Sequence, residues 1–389
     1  MTAASRIRLF IGIALVVGHA GAFAQAIKVG VVAPMSGTFA AYGKQIETGI
    51  NVFLRENGDS VAGRKLEIIF KDNAGPNAEA AKRLAQELVI RDKVDILAGF
   101  AFTPDALAAA PVATEAKKPL FLPLAGTSIV TTKSPYIVRT SYTNAQVALP
   151  MGQWASKNKM KKVFTLVSDY GPGIDTETWF KKGFVDGGGE LSGSVRVPVS
   201  NREFAPYLQR IKDAKPDAVF IFLPAGEPMV AFMKGFADRD MAKAGVKILA
   251  LEGWADDDTL AAVGDAAIGA VNAGFYSTDH QSAVNRQFVQ NFANVSGGKL
   301  LPNFLSVAAY DMMKVIAHAI QKQGGKIDPD ATIAAAKGYT YESPRGTMLI
   351  DAETRDVVHD IYIRRVIKEN GKLINREFDV FKMVKDPGK

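Results

Sequence analysis

Hydrophobic positions along the chain fall into short β-branched runs separated by longer stretches with helical spacing. IKVGVVAP (27–34) reads as a buried strand, and a helix of about two dozen residues follows it through AAYGKQIETGINVFLREN (40–57). KLEIIFKDN (65–73) is a second strand, after which AEAAKRLAQELVIRDK (78–93) places Ala81, Leu84, Ala85 and Leu88 on one helical face. VDILAG (94–99) is a third strand, TPDALAAAPVATEA (103–116) its helix and PLFLPLAG (119–126) a fourth strand. After IVRTSY (137–142) the rhythm restarts through KVFTLVSDYG, SGSVRVPV, DAVFIFLP and VKILALEG, with helical stretches between them. Residues 285–338 are mainly helical, and TMLIDAETRDVVHDIYIRRVIKENGKL (347–373) alternates like antiparallel strands. Strands separated by helices imply right-handed βαβ units and parallel sheets covered on both faces. The expected fold class is therefore α/β, with two doubly wound lobes, a late helical segment and a closing strand region.

Ligands of open parallel sheets sit beyond the carboxyl ends of the strands. Here those ends are VAPMSG, AGFAFT, PLAGTS, VSDYGPG, FLPAGEP and ALEGW, rich in small, hydroxyl and aromatic residues. Thr103-Pro104-Asp105 opens a helix where the third strand stops, with Thr103 as the expected N-cap. Such a terminus presents unpaired N–H groups and a partial positive charge, which suits an anion. One βαβ unit away, Ala125-Gly126-Thr127-Ser128 offers backbone N–H groups and the Thr127 hydroxyl. A carboxylate has about four lone-pair sites, so two hydroxyls and two or three N–H groups satisfy it without lysine or arginine. Asp105 is expected to face solvent or to cap its own helix.

The 389 residues suffice for two domains. Arg6 and Arg8 precede LFIGIALVV, and Ala22-Phe23-Ala24 supplies small residues before a cleavage point, so residues 1–24 read as a secretory signal peptide. No later segment approaches the ~18 apolar residues of a membrane span. The chain has no cysteine, so stability must come from its core, and no lipid-modified cysteine follows the signal. A free periplasmic protein is the expectation. The formal charge of +7 is scattered among acids, and the one basic cluster, KNKMKK (157–162), reads as a solvated helix end, so no nucleic acid is expected. Beyond the signal, His280, His318 and His359 lie at no metal-binding spacing, and no nucleophile elbow, P-loop or dinucleotide fingerprint is present. Neither catalysis nor a metal or cofactor is expected.

The ordered set IKVGVVAPMSGTFAAYGKQIETGINVF, KDNAGPNAEAAKRLAQELV, VDILAGFAFTPD, FLPLAGTS, VSDYGPG and ALEGW resembles the periplasmic solute-binding proteins of the branched-chain amino acid type. These are the leucine/isoleucine/valine-binding components of ABC importers. The resemblance implies a type I periplasmic-binding fold whose two lobes close on ligand about three crossing strands, here near Thr140, Phe275 and Ile361. Residues 25–140 with 276–360 would form one lobe, and 141–275 with 361–389 the other. It also implies a ligand carboxylate held by Thr103 and by Ala125 with Thr127, and a pocket walled by Tyr42. From the second lobe, Tyr170 would close over the ligand and Glu252 would meet an amino acid's ammonium. The implied partners are a small carboxylate ligand and the permease and ATPase subunits of an inner-membrane importer, with the binding protein a monomer.

Departures from that pattern bear on the ligand. Ala225 and Gly226 stand where the family carries a tyrosine, which opens space. Phe100 and Phe102 are large, and by strand alternation they point the same way, so both are core candidates and Phe102 is also a pocket candidate. Trp254 follows Glu252 closely. A wider, more aromatic pocket suits a flat ring, of benzoate or hydroxycinnamate kind. Glu252 favours a hydrophobic amino acid instead, unless it accepts a hydrogen bond from a ligand hydroxyl or is protonated. A ligand-sensing receptor domain is the remote alternative.

Overall fold

The computed structural model describes residues 25–389 apart from 225 and 255, so the expected signal peptide and the Ala225 substitution lie outside the described residues. In chain order, β1 (Ile27–Ala33), α1 (Ala40–Asn57), β2 (Ser60–Val61), β3 (Arg64–Asp72), α2 (Ala78–Ile90), β4 (Ile96–Gly99), α3 (Thr103–Glu115), β5 (Leu120–Leu122) and β6 (Ile137–Arg139) build the first lobe. There follow α4 (Asn144–Lys157), β7 (Lys162–Ser168), α5 (Gly171–Asp186), β8 (Glu190–Val197), α6 (Ala205–Ala214) and β9 (Ala218–Phe222). Next come α7 (Glu227–Asp238), β10 (Lys247–Leu251), α8 (Asp257–Val263) and β11 (Val271–Gly274). Helices α9 (Ala283–Ser296), α10 (Phe304–Lys322) and α11 (Pro329–Ala336) return to the first lobe, where α10 packs on α1. The last strands are β12 (Thr340–Ser343), β13 (Gly346–Ile350), β14 (Val357–Glu369) and β15 (Lys372–Val384).

The first sheet has six strands in the order β2-β3-β1-β4-β5-β6, parallel apart from the β2–β3 hairpin. The second has nine, β12-β13-β14-β11-β10-β9-β7-β8, with β15 paired to β14. Its β7–β11 strands are parallel, and β12–β15 are antiparallel. This is the expected pair of doubly wound lobes. Helix α2 shows how the pattern becomes packing: Asn77 accepts from the Ala80 N–H at 2.9 Å as the N-cap, and Ala81, Leu84, Ala85 and Leu88 are all buried. Truncating Leu88 to alanine would cost about 2–5 kcal/mol.

The chain passes between the sheets after β6, after β11 and along β14, whose first residues pair with β13 and whose later ones pair with β11. Each passage is held by a fully buried arginine. Arg139 meets Asp356 at 2.7 Å, Arg345 meets Asp311 at 2.8 Å, and Arg364 meets Glu252 at 3.2 Å. Arg345 also donates to Thr140 O and Ser141 O at 2.5 and 2.8 Å, and its guanidinium lies 4.5 Å from the centre of the Phe275 ring. One side chain thereby joins the first two passages. Buried ion pairs contribute little net stability, but removing one partner strands a charge in low dielectric.

Candidate functional site

Beyond the carboxyl ends of β4, β5, β7, β9 and β10 lies a cavity of about 350 Å³ between the lobes. Tyr42, Phe102, Thr103, Ala125, Tyr170 and Glu252, all expected at the site, line it. Among the described residues no lysine or arginine does.

The first-lobe wall is set by how β4 ends. Gly99 has φ +93°, and a Cβ there would lie 2.2 Å from Val32 O, so only glycine fits. Phe100 follows with φ +54°, which breaks strand alternation. Phe100 and Phe102 consequently diverge: Phe100 is buried in the core among α2 and α3, whereas Phe102 faces the cavity. Phe102 stacks on Tyr42 at 5.7 Å and 14°, and meets Phe39 edge-on at 5.0 Å. The N-cap position of α3 falls on Phe102, one residue earlier than expected, and Thr103 is the first helical residue. Its hydroxyl is 3.0 Å from the Thr127 hydroxyl instead of capping the helix.

The turn after β5 is similarly constrained. Ala125 adopts φ +62°, its N–H donates to Ala101 O at 3.0 Å, and its carbonyl accepts from Arg139 Nη1 at 2.5 Å. Thr127 O accepts from the same nitrogen at 2.9 Å. Gly126 lines the cavity; Thr127 stands just behind the wall, joined to it through Thr103. The amides of Thr103, Gly126 and Thr127 have no hydrogen-bond partner among the described residues. Asp105 departs from expectation. It is fully buried and accepts from Asn73 Nδ2 at 2.7 Å and the Asn77 N–H at 2.8 Å, and burial pushes its carboxyl up to about 6 against those bonds.

On the second-lobe side, Tyr170 occupies the N-cap position of α5 and stacks on Phe222, 6.4 Å away and 23° off parallel. Tyr142, Asn144 and Phe304 complete the wall and were not read from the sequence. Tyr142 sits in the passage after β6, where a lone aromatic beside Thr140 was the available signal. Burial, then the nearby Glu252, Tyr170 and Tyr42, push its hydroxyl far above the usual phenol range; burial does the same at Tyr170. Both remain neutral donors.

Glu252 does not wait for a ligand. Its side chain is 1% exposed, Oε1 pairs with Arg364, and Oε2 accepts from the N–H groups of Phe275 at 2.5 Å and Tyr276 at 3.3 Å. Arg364 is further held by Asn272 Oδ1 at 2.8 Å and by the Tyr276 carbonyl. The unpaired carboxylate expected from the sequence is a paired one. Trp254 packs into the second-lobe core away from the cavity. Among the described residues no cluster of three or more histidine, aspartate or glutamate side chains is suited to a metal, and no helix is long and apolar enough to cross a membrane.

The sequence pattern of the periplasmic binding protein family matches residues 26–372. A solute-binding protein of an ABC transporter from Rhodopseudomonas palustris BisB5, in complex with 3,4-dihydroxybenzoic acid, is 51% identical with a TM-score of 0.90, covering 93% of this chain and 99% of that one. Another from R. palustris HaA2, in complex with p-hydroxybenzoic acid, is 43% identical at the same TM-score and coverage. Leu/Ile/Val-binding protein homolog 6 of Brucella melitensis is 40% identical over 368 residues, 94% of each chain. With the type I two-lobed fold and the interlobe cavity in place, this chain belongs to the periplasmic binding protein family, as a branched-chain amino acid-type solute-binding component of ABC transporters.

Proposed function

We propose that this protein captures a small aromatic acid, of benzoate or hydroxybenzoate kind, in the periplasm and delivers it to an inner-membrane permease with its ATPase. The observation that carries this reading is the state of the acceptors. A ligand ammonium needs partners for three N–H donors. The Glu252 carboxylate, the acid that the resemblance assigns to such a group, already accepts from Arg364 and two backbone N–H groups, which leaves about one lone-pair site, and the Ala125 carbonyl already holds Arg139. The carboxylate, by contrast, has free donors in the amides of Thr103, Gly126 and Thr127, and in the one hydroxyl proton that the Thr103–Thr127 pair does not use between themselves. The ring would lie among Phe102, Tyr42, Tyr170 and Phe222, in a cavity at the small end of the usual range of about 300–1,000 Å³. The aromatic acids in the two R. palustris relatives support the same class.

In this reading residues 1–24 are removed on export and the protein acts as a monomer. The lobes, residues 25–140 with 276–360 and 141–275 with 361–389, close about the three passages. Ligand docks by its carboxylate on the first lobe, and contacts from Tyr170 and its neighbours shift the population toward the closed form that the permease recognises. No bond is made or broken.

A hydrophobic amino acid is the second reading, favoured by the name of the Brucella relative. Thermal melts with benzoate, 4-hydroxybenzoate and leucine separate the two. A ligand at one hundred times its Kd stabilises by about 2.7 kcal/mol. The proposal expects that response from the aromatic acids and none from leucine; the opposite pattern would replace it with the amino-acid reading.

A further inference from the structure

Among the described residues the cavity wall carries no cation, yet a guanidinium stands directly behind the turn proposed to hold the carboxylate. Arg139, at the end of β6, is fully buried. Its Nη1 donates to Ala125 O at 2.5 Å and to Thr127 O at 2.9 Å. Nε and Nη2 reach Asp356 Oδ1 at 2.9 and 2.7 Å on the other side. In a trans peptide the C=O and the following N–H point in opposite directions. Holding Ala125 O toward Arg139 therefore turns the Gly126 N–H away from it, and Gly126 is on the cavity wall.

We infer that Arg139 is a positioning residue for the bound carboxylate: without touching the ligand, it orients and polarises the Ala125–Gly126 peptide so that the Gly126 N–H donates to the anion. This rests on the reading that a carboxylate occupies the first-lobe wall. Ala125 has the left-handed φ that alanine adopts reluctantly, and two hydrogen bonds pin it there, one on its N–H and one on its carbonyl. Asp356 balances Arg139 through Oδ1 and also pairs with the Lys389 ammonium through Oδ2, and the guanidinium lies between Asp356 and the turn, so the positive end faces the peptide. The anion is thus favoured over a neutral ligand of the same shape through a peptide dipole and not through contact with a charge. A lysine at 139 would keep the charge yet lose the fork that engages two carbonyls and a carboxylate together.

The test compares 4-hydroxybenzoate with its neutral isostere 4-hydroxybenzamide by isothermal titration calorimetry. The proteins are the mature chain and its Arg139→Lys and Arg139→Met variants, each checked for folding by circular dichroism and melting. Both variants are expected to lose about tenfold or more in affinity for the acid, the scale of one charge-assisted hydrogen bond, and less than about threefold for the amide. In the unaltered protein, the Gly126 amide proton is expected to move downfield when the acid is added. If neither single variant folds, Arg139→Met/Asp356→Asn, which leaves no unpaired charge between the two, takes their place with the same expected losses. An unmoved Gly126 amide, or equal losses for acid and amide in folded variants, overturns the role of Arg139 while leaving the carboxylate reading intact. An unaltered protein that shows no preference for acid over amide overturns the carboxylate reading itself, and the inference with it.

Discussion

Replacing Glu252 by glutamine separates a structural carboxylate from a ligand-binding one. The side chain is buried and its three contacts are all to the protein: Arg364 at 3.2 Å and the N–H groups of Phe275 and Tyr276. Glutamine retains an acceptor for the amides but presents Arg364 with no charge. Arg364 keeps Asn272 Oδ1 and the Tyr276 carbonyl, so it stays hydrogen-bonded while its charge is uncompensated. Breaking a buried pair this way costs about 3–5 kcal/mol, and the retained bonds place this case near 3. At about 1.3 °C per kcal/mol for a chain of this length, Tm should fall by roughly 4 °C. Calorimetric titration of the folded variant with 4-hydroxybenzoate should give a Kd within about threefold of the parent, because no ligand bond is removed. The double variant Glu252→Gln/Arg364→Met, which removes both charges, should regain most of the lost Tm. A Glu252→Gln protein that melts like the parent but has lost its ligand would refute this reasoning and return Glu252 to the binding site.

Thr103→Val removes one donor to the carboxylate and should weaken acid binding about 10–100-fold, measured by titration calorimetry, with little change in melting temperature. Tyr142→Phe should reduce the preference for 4-hydroxybenzoate over benzoate by about 2–10-fold if its hydroxyl, a neutral donor on the cavity wall, is the one that meets the ring hydroxyl; an unchanged preference assigns that contact elsewhere. Asp105 binds its proton more tightly folded than unfolded, about 6 against an ordinary 3.8, so its contribution to stability is greatest below about pH 4 and is lost as pH rises through 6. Asp105→Asn should remove that component, roughly 3 kcal/mol, from the pH dependence of denaturant unfolding. Glu177 has the opposite sign. Burial alone would raise its carboxyl, but bonds from Lys181, Ser194, Thr165 and Arg196 hold it at about 2, so its stabilisation is present above about pH 4.5 and lost as pH falls toward 2. Glu177→Gln should flatten the acid limb of the same curve.

The strands and helices were legible because their signal is local. The helix read through 40–57 is α1, at 18 residues shorter than the two dozen or so expected, and the apolar face read at Ala81, Leu84, Ala85 and Leu88 is buried. Phe100 lies in the core and Phe102 on the cavity wall, both among the expected places, but their shared direction was misread because alternation holds only while the backbone stays extended, and Gly99 and Phe100 both leave that region. Asp105 was expected in solvent or as a cap of its own helix because its actual partners come from the loop before α2, about thirty residues away. The arginines are the larger gap. Arg139 finds Asp356, and Arg364 finds Glu252, over 217 and 112 residues, separations that no periodicity reaches. The clue was present nonetheless. A single arginine inside the apolar run IVR, and another inside IYIRRV, must have buried partners, because an unpaired charge is not tolerated there.

The central claim is that neutral donors of the first lobe hold the acid group of an aromatic ligand. A crystal structure of the complex with 4-hydroxybenzoate tests it most directly. The account predicts the carboxylate oxygens within about 3 Å of the Thr103 hydroxyl and of the Thr103 and Gly126 amides, with the ring beside Phe102 and Tyr170 and the Glu252–Arg364 pair unbroken. A carboxylate turned toward the second lobe, or one that has drawn Arg364 away from Glu252, would contradict it.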